Sequence, residues 1–139
     1  MSYDVCVRCF AGGDTKTLPF AEVAAILRKF GSIDEGVGSL EFTPDGEGMC
    51  EYGFIDGDED RGIDSVIFSR PDLLDIRLRS LVFDLLGIPG MCYFEQDVIH
   101  IYARSNLTEE LPEGFLEESS AGRVTVISSE AELDLNCFF

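Results

Sequence analysis

Asp56-Gly57-Asp58-Glu59-Asp60-Arg61-Gly62-Ile63-Asp64 is the stretch on which the fold turns. Its five acids and two glycines interrupt a chain that otherwise alternates in regular patterns. The residues before the interruption and the residues after it read as two versions of one plan. Upstream, residues 3–10 alternate as a strand does, with Tyr3, Val5, Val7 and Cys9 on one face and Asp4, Cys6, Arg8 and Phe10 on the other. Ala11-Gly12-Gly13-Asp14 ends that run. A helix comes next. Pro19 and Glu22 sit in its first turn, and Arg28 and Lys29 precede Gly31, which matches the helix dipole and the preference for glycine just past a helix end. Phe20, Val23, Leu27 and Phe30 form its apolar stripe. Residues 39–43 and 49–55 then read as two strands joined by the turn-rich Pro44-Asp45-Gly46-Glu47-Gly48.

Downstream the order recurs. Ile63 to Ser69 is strand-like, and Pro71-Asp72 is expected to open a second helix. Leu74, Leu78, Leu81, Val82 and Leu85 form its stripe before Gly87 and Pro89. Residues 91–95 and 98–103 read as a hairpin around Gln96-Asp97, with Ile99, Ile101 and Ala103 on one face and Val98, His100 and Tyr102 on the other. Each half is therefore β-α-β-β. The predicted fold is α+β: a mostly antiparallel sheet with two helices on one face, built from pseudo-duplicated units at 1–55 and 63–104 around an acidic link at 56–62. Residues 105–139 form an extension. Leu107 to Glu118 is expected to be loop with a turn of helix, Arg123 to Ser128 an extra strand, and Ser129-Glu130-Ala131-Glu132 the cap of a short helix. Cys137-Phe138-Phe139 is expected to dock on the body. The second sheet face keeps several apolar positions, so either the extension covers it or it is offered to another chain.

At 139 residues the chain is sized for one domain and one core. Its net charge is −17, from 27 acids and 10 bases, and a field of that sign repels nucleic acid and anionic membrane surfaces. The amino terminus has no basic region followed by an apolar run, and no stretch reaches the length of a membrane span, so a cytoplasmic location is expected. Five cysteines cannot all pair within one chain, which fits reduced thiols. Cys6 and Cys9, an odd distance apart on an extended strand, point to opposite faces and cannot chelate together.

No pattern selects an enzyme, a metal or a cofactor. Asp56-x-Asp58-x-Asp60 resembles the start of a calcium loop, but Arg61 stands where such a loop needs glycine and Ile67 where it needs glutamate. His100, the single histidine, lies between isoleucines on a strand and reads as a structural residue. Gly12-Gly13 lacks the lysine and spacing of a phosphate loop.

The distribution of charge carries more information. Between Lys29 and Arg61 there are ten acids and no base. Solubility alone needs far less, and self-repulsion on this scale costs stability, so the acids are expected to meet a basic protein. The candidate contacts are Asp34, Glu35, Asp56, Asp58, Glu59 and Asp60, with a second group at Glu109, Glu110, Glu113, Glu117 and Glu118. Tyr52 and Tyr102 are the candidate aromatic anchors. The opening Met1-Ser2-Tyr3-Asp4-Val5-Cys6-Val7-Arg8-Cys9-Phe10, with the size and acidity of the chain, resembles the immunity proteins that bacteria carry beside polymorphic or contact-dependent toxins. That resemblance implies a protein that binds one cognate toxin domain, often a basic nuclease or deaminase, and occludes its active site. Two alternatives stand beside it. One is a metal-free small-molecule module, since the glyoxalase and bleomycin-resistance group is similar in size and element order. The other is an assembly protein that dimerises through its free sheet face.

Overall fold

The computed structural model of the protein describes residues 4–36, 39–98, 100–119 and 122–135. Nine strands, β1 (Asp4–Ala11), β2 (Asp14–Thr15), β3 (Gly31–Gly36), β4 (Ser39–Pro44), β5 (Tyr52–Asp58), β6 (Gly62–Ser69), β7 (Met91–Glu95), β8 (Ile101–Ala103) and β9 (Thr125–Val126), form one sheet. Its order is β3-β4-β5-β6-β1-β7-β8-β9, with the short β2 folded back on the end of β1. Only the β8–β9 pairing among these is parallel. The helices are α1 (Phe20–Leu27), α2 (Ile76–Leu86) and the four-residue α3 (Phe115–Glu118). The fold is thus α+β, as the alternation predicted.

Strand alternation decides what each face carries. Val5, Val7 and Cys9 of β1, Val66 and Phe68 of β6, Leu40 and Phe42 of β4 and Met91 and Tyr93 of β7 point inward. They share one core with Val23 and Leu27 of α1 and Leu78, Leu81, Val82 and Leu85 of α2. Both helices therefore cover the same face. Burying apolar area of this kind supplies most of the drive to fold. Cys6 lies on the opposite, outer face, between Phe94 and Ile67 on the neighbouring strands, so the two thiols of Cys6-x-x-Cys9 are separated as alternation requires.

The chain runs from β1 through α1 to β3 at the far edge, and then meanders back through β4, β5 and β6 until β6 lies beside β1. From β6, α2 crosses over β1 to β7, which pairs the other side of β1. The helix-then-strands order recurs in the two halves, but the strands enter the sheet in opposite order. Besides the two-residue β2, the first half holds one further strand beyond the four-element plan. The added strand is β3, whose Gly-Ser-Ile-Asp-Glu-Gly carries a single apolar side chain.

The acidic link is a hairpin tip within the sheet. β5 extends to Asp58 and pairs with β6 through a bulge between Asp56 and Gly57. Two glycines with positive φ make this possible: a Cβ on Gly57 would strike the carbonyl oxygen of Gly62, and one on Gly62 would strike that of Leu18. α2 starts later than Pro71-Asp72 suggested. Asp72 closes a turn by accepting from the Leu74 N–H at 3.0 Å, and Asp75 is the cap, accepting from the Arg77 N–H at 2.8 Å. Arg77 also donates to the carbonyls of Asp45 and Glu47, at 2.9 and 2.8 Å, and so pins the β4–β5 loop to the helix start. β8 is shorter than expected because Val98 takes a positive φ of 51°, which breaks the alternation before Ile101. Ile99 lies outside the described residues.

The extension wraps the β8–β9 edge. Leu107, Leu111 and Val124 pack on the outer face with Phe10, Cys92, Ile101 and Ala103, and Phe94, Phe115 and Leu116 border them. After β9 the chain passes to the helix side, where Ile127, Leu133 and Leu135 join the main core and Glu130, in a 3-10 turn at Glu130–Glu132, accepts from the Ser80 hydroxyl at 2.7 Å. The expected docking of 137–139 falls outside the described residues.

Candidate functional site

Leu107, Leu111, Phe115, Leu116 and Val124 cover only the β1–β7–β8 side of the outer face, and among the described residues no segment covers the β4–β5–β6 side. Register places the open side chains in rows. Asp34, Glu41, Phe54, Ile67 and Cys6 succeed one another across β3, β4, β5, β6 and β1. Asp56, Ser65 and Arg8 form the next row, and Tyr52, Ser69 and Asp4 the row on the other side. Tyr52 is 47% exposed and Phe54 37%, although both lie in a strand inside the sheet. Ile67, directly opposite Phe54, is half-buried. Single exposed apolar residues are ordinary on a protein surface; a contiguous aromatic and aliphatic cluster on a rigid sheet is not.

Around this cluster the charges are arranged unequally. Asp34 and Glu41 are exposed and lie toward the β3 edge, and Asp56 is half-buried beside Ser65. Arg8 faces the same surface. Its Nε is enclosed without a hydrogen-bond partner, and it makes no ion pair among the described residues. The Ser65 hydroxyl is likewise enclosed, in a residue only 1% exposed. Burial pushes the Cys6 thiol up to about 11, against the pull of the Arg8 charge and the Ser65 hydroxyl. Burial also raises Cys92. Thiols held protonated in this way are poor nucleophiles at neutral pH.

The other expected contacts separate. Asp34 and Glu35 lie on the edge strand β3, both exposed. Glu59 and Asp60 are exposed at the hairpin tip, beside a surface cleft of about 440 Å³ bordered by Pro19, Phe20 and Ala21. Asp58 is occupied in closing that tip. It accepts from the backbone N–H groups of Asp60 and Arg61 and from the Arg61 Nε, at 2.9, 2.6 and 2.9 Å. These bonds, with the Arg61 charge, hold its carboxyl below the usual range. Glu110 is also tied down, accepting from the Gly12 N–H at 2.9 Å, while its own carbonyl accepts from Gly13. Glu109, Glu113, Glu117 and Glu118 lie at least partly exposed on the segment over the covered side. The two acidic groups therefore flank the open surface from opposite sides.

Tyr102 is not a surface anchor. It is 6% exposed on the helix side, 6.0 Å from the Tyr93 ring, and its hydroxyl donates to the Asp134 carbonyl at 3.1 Å. His100 is half-buried, stacked on Tyr102 with centroids 6.2 Å apart, and its Nδ1 lies 3.0 Å from Glu95. Both oxygens of the fully buried Glu95 also accept from the His100 backbone N–H, at 2.8 and 3.1 Å. This pair closes the β7–β8 connection. Among the described residues no group of three His, Cys, Asp or Glu side chains is placed to hold a metal ion, and no helix is long and apolar enough to cross a membrane.

Sequence reasoning missed Arg8, Glu41, Phe54 and Ile67. Alternation already placed Phe54 with Tyr52 on one face of β5, but nothing in the residues said that this half of the sheet stays uncovered. Comparison with family models, with curated proteins and with solved structures finds no match for the chain.

Proposed function

We propose that the protein is an acidic inhibitor that grips a basic protein partner with the open half of its outer sheet face. The observation that carries this is the exposure of Tyr52 and Phe54, with Ile67 on the adjoining strand, inside a border of Asp34, Glu41 and Asp56. Large aromatic side chains on a preorganised surface lose little conformational entropy on binding, and tyrosine and arginine dominate the energy of protein interfaces. Arg8 supplies one cation within the anionic border, suited to a carboxylate or carbonyl of the partner. The charge of −17 speeds encounter with a positive surface.

The partner that fits is a basic catalytic domain, of the kind inhibited by the immunity proteins that the opening ten residues resemble. A nuclease or deaminase surface built to attract phosphate would accept this array of carboxylates instead, and its active site would be shut off. The test is capture of the partner from the native organism, followed by hydrogen exchange on the purified complex. The expected footprint covers Tyr52–Asp56 and the outer positions of β6. A footprint confined to α1 and α2, or to residues 109–118, would remove the proposal.

A further inference from the structure

Beside the open face lies an open edge. Strand β3 begins the sheet, and among the described residues no strand pairs with its outer side. Its bonding phase can be read from two facts. Pro44, which has no N–H, stands opposite Gly31, and the Asp45 N–H donates to the Phe30 carbonyl at 2.9 Å. In an antiparallel pair, bonded and non-bonded positions alternate. Phe30, Ser32 and Asp34 therefore bond toward β4, and Gly31, Ile33 and Glu35 direct their N–H and C=O groups outward. The register from Gly31 to Gly36 runs without a bulge.

Proteins usually blunt such an edge with a very short strand, a lysine, a proline or a bulge. The opposite edge obeys that rule, since β9 has two residues. β3 has six residues and no lysine, proline or bulge, so acidic charge is its one guard. What it carries instead is Asp34, Glu35 and, on the next strand, the exposed Glu41. A second copy of the chain would bring a like charge of −17 and a second Asp34 and Glu35 to one ladder. The edge is thus closed to itself by charge and open to a cationic strand.

We propose that the β3 edge receives an extended basic segment of the partner as an added strand, with lysine or arginine beside Asp34 and Glu41 and an apolar residue beside Ile33. Main-chain bonds would give affinity and the alternating side chains specificity. This deepens the inhibitor proposal but does not depend on the partner's identity. The probe is a capped eight-residue peptide alternating Lys and Val, added at about 150 mM salt to suppress loose charge pairing. Amide exchange is followed by NMR. Exchange at Gly31, Ile33 and Glu35 should slow about tenfold or more, with Ser32 and Asp34 little changed. The same peptide N-methylated at alternate residues, or carrying Glu for Lys, should give no slowing. Glu35→Pro removes one outward donor at an edge position that tolerates proline, and should lose the effect while keeping a cooperative unfolding transition.

Peptide signals confined to Tyr52 and Phe54 would overturn the edge proposal and leave the open-face proposal standing. The edge proposal also falls if there is no response to the peptide, or equal slowing by the N-methylated peptide. It falls again if Gly31, Ile33 and Glu35 are protected without peptide in proportion to protein concentration, because a second copy would then occupy the edge.

Discussion

The outer face of the sheet is one surface with two fates. On the β1–β7–β8 side, Phe10 and Phe94 of the sheet pack against Phe115 of the extension, with ring centroids 5.0 to 6.4 Å apart. On the β4–β5–β6 side, Tyr52, Phe54 and Ile67 occupy the equivalent layer with nothing above them among the described residues. The same residue types at the same depth thus serve the fold on one side and are left for association on the other. The difference lies in what the extension reaches, because the strands themselves alternate alike on both sides.

Exchanging the fates should show first in stability. Phe10→Ala empties a site only 3% exposed and should cost about 3–5 kcal/mol in urea unfolding, whereas Phe54→Ala should cost less than about 1 kcal/mol. Equal losses would erase the distinction between the halves. The open half is secured from below by Arg77 of α2, which holds the β4–β5 loop through the Asp45 and Glu47 carbonyls. Arg77→Ala leaves the cap Asp75 and two loop carbonyls without their charged donor, and should cost about 1–3 kcal/mol, with faster amide exchange at 45–52 and little change at 107–116. Faster exchange on both sides would mean that the halves do not yield separately.

Charge should divide the halves more gently. Asp34→Asn, Glu41→Gln and Asp56→Asn together should slow association with the captured partner about tenfold and flatten its salt dependence, with stability unchanged or slightly raised. Glu109→Gln, Glu113→Gln, Glu117→Gln and Glu118→Gln should do less; the reverse ranking would move the contact to the covered side. The smallest effect concerns the hairpin tip. The Asp58 carboxyl is held below its ordinary 3.8, so the stability it adds is fully present above that pH and is lost as pH falls through the lower folded value. Asp58→Asn should lower stability slightly at neutral pH and flatten its fall on acidification below about pH 4, so that variant and unaltered protein converge in acid.

Much of this arrangement was legible in the residues, and the misses have physical causes. Alternation in 3–10 set that strand and its faces, with Val5, Val7 and Cys9 at every second residue, whereas 63–69 and 91–95 showed as strands through their β-branched and aromatic content without showing their faces. β3 was not legible, since Ile33 is its only large apolar side chain and glycines bound it; an edge strand half in solvent has no hydrophobic period to show. The start of α2 was misplaced by Pro71-Asp72, a turn signal that proved to be a turn ahead of the true cap, Asp75. Tyr52 and Tyr102 looked alike as anchors because alternation fixes which side chains share a face but not which face the helices cover. The register that puts Tyr102 opposite the inward Tyr93, and Phe54 opposite Ile67, is a long-range fact.

The most direct test is the affinity of the purified partner for the Tyr52→Ala/Phe54→Ala double variant, measured by calorimetry beside the unaltered protein. The account predicts a loss of about a hundredfold or more with the unfolding free energy nearly kept. Unchanged affinity in that variant, with affinity abolished by altering Glu113, Glu117 and Glu118 instead, would contradict it.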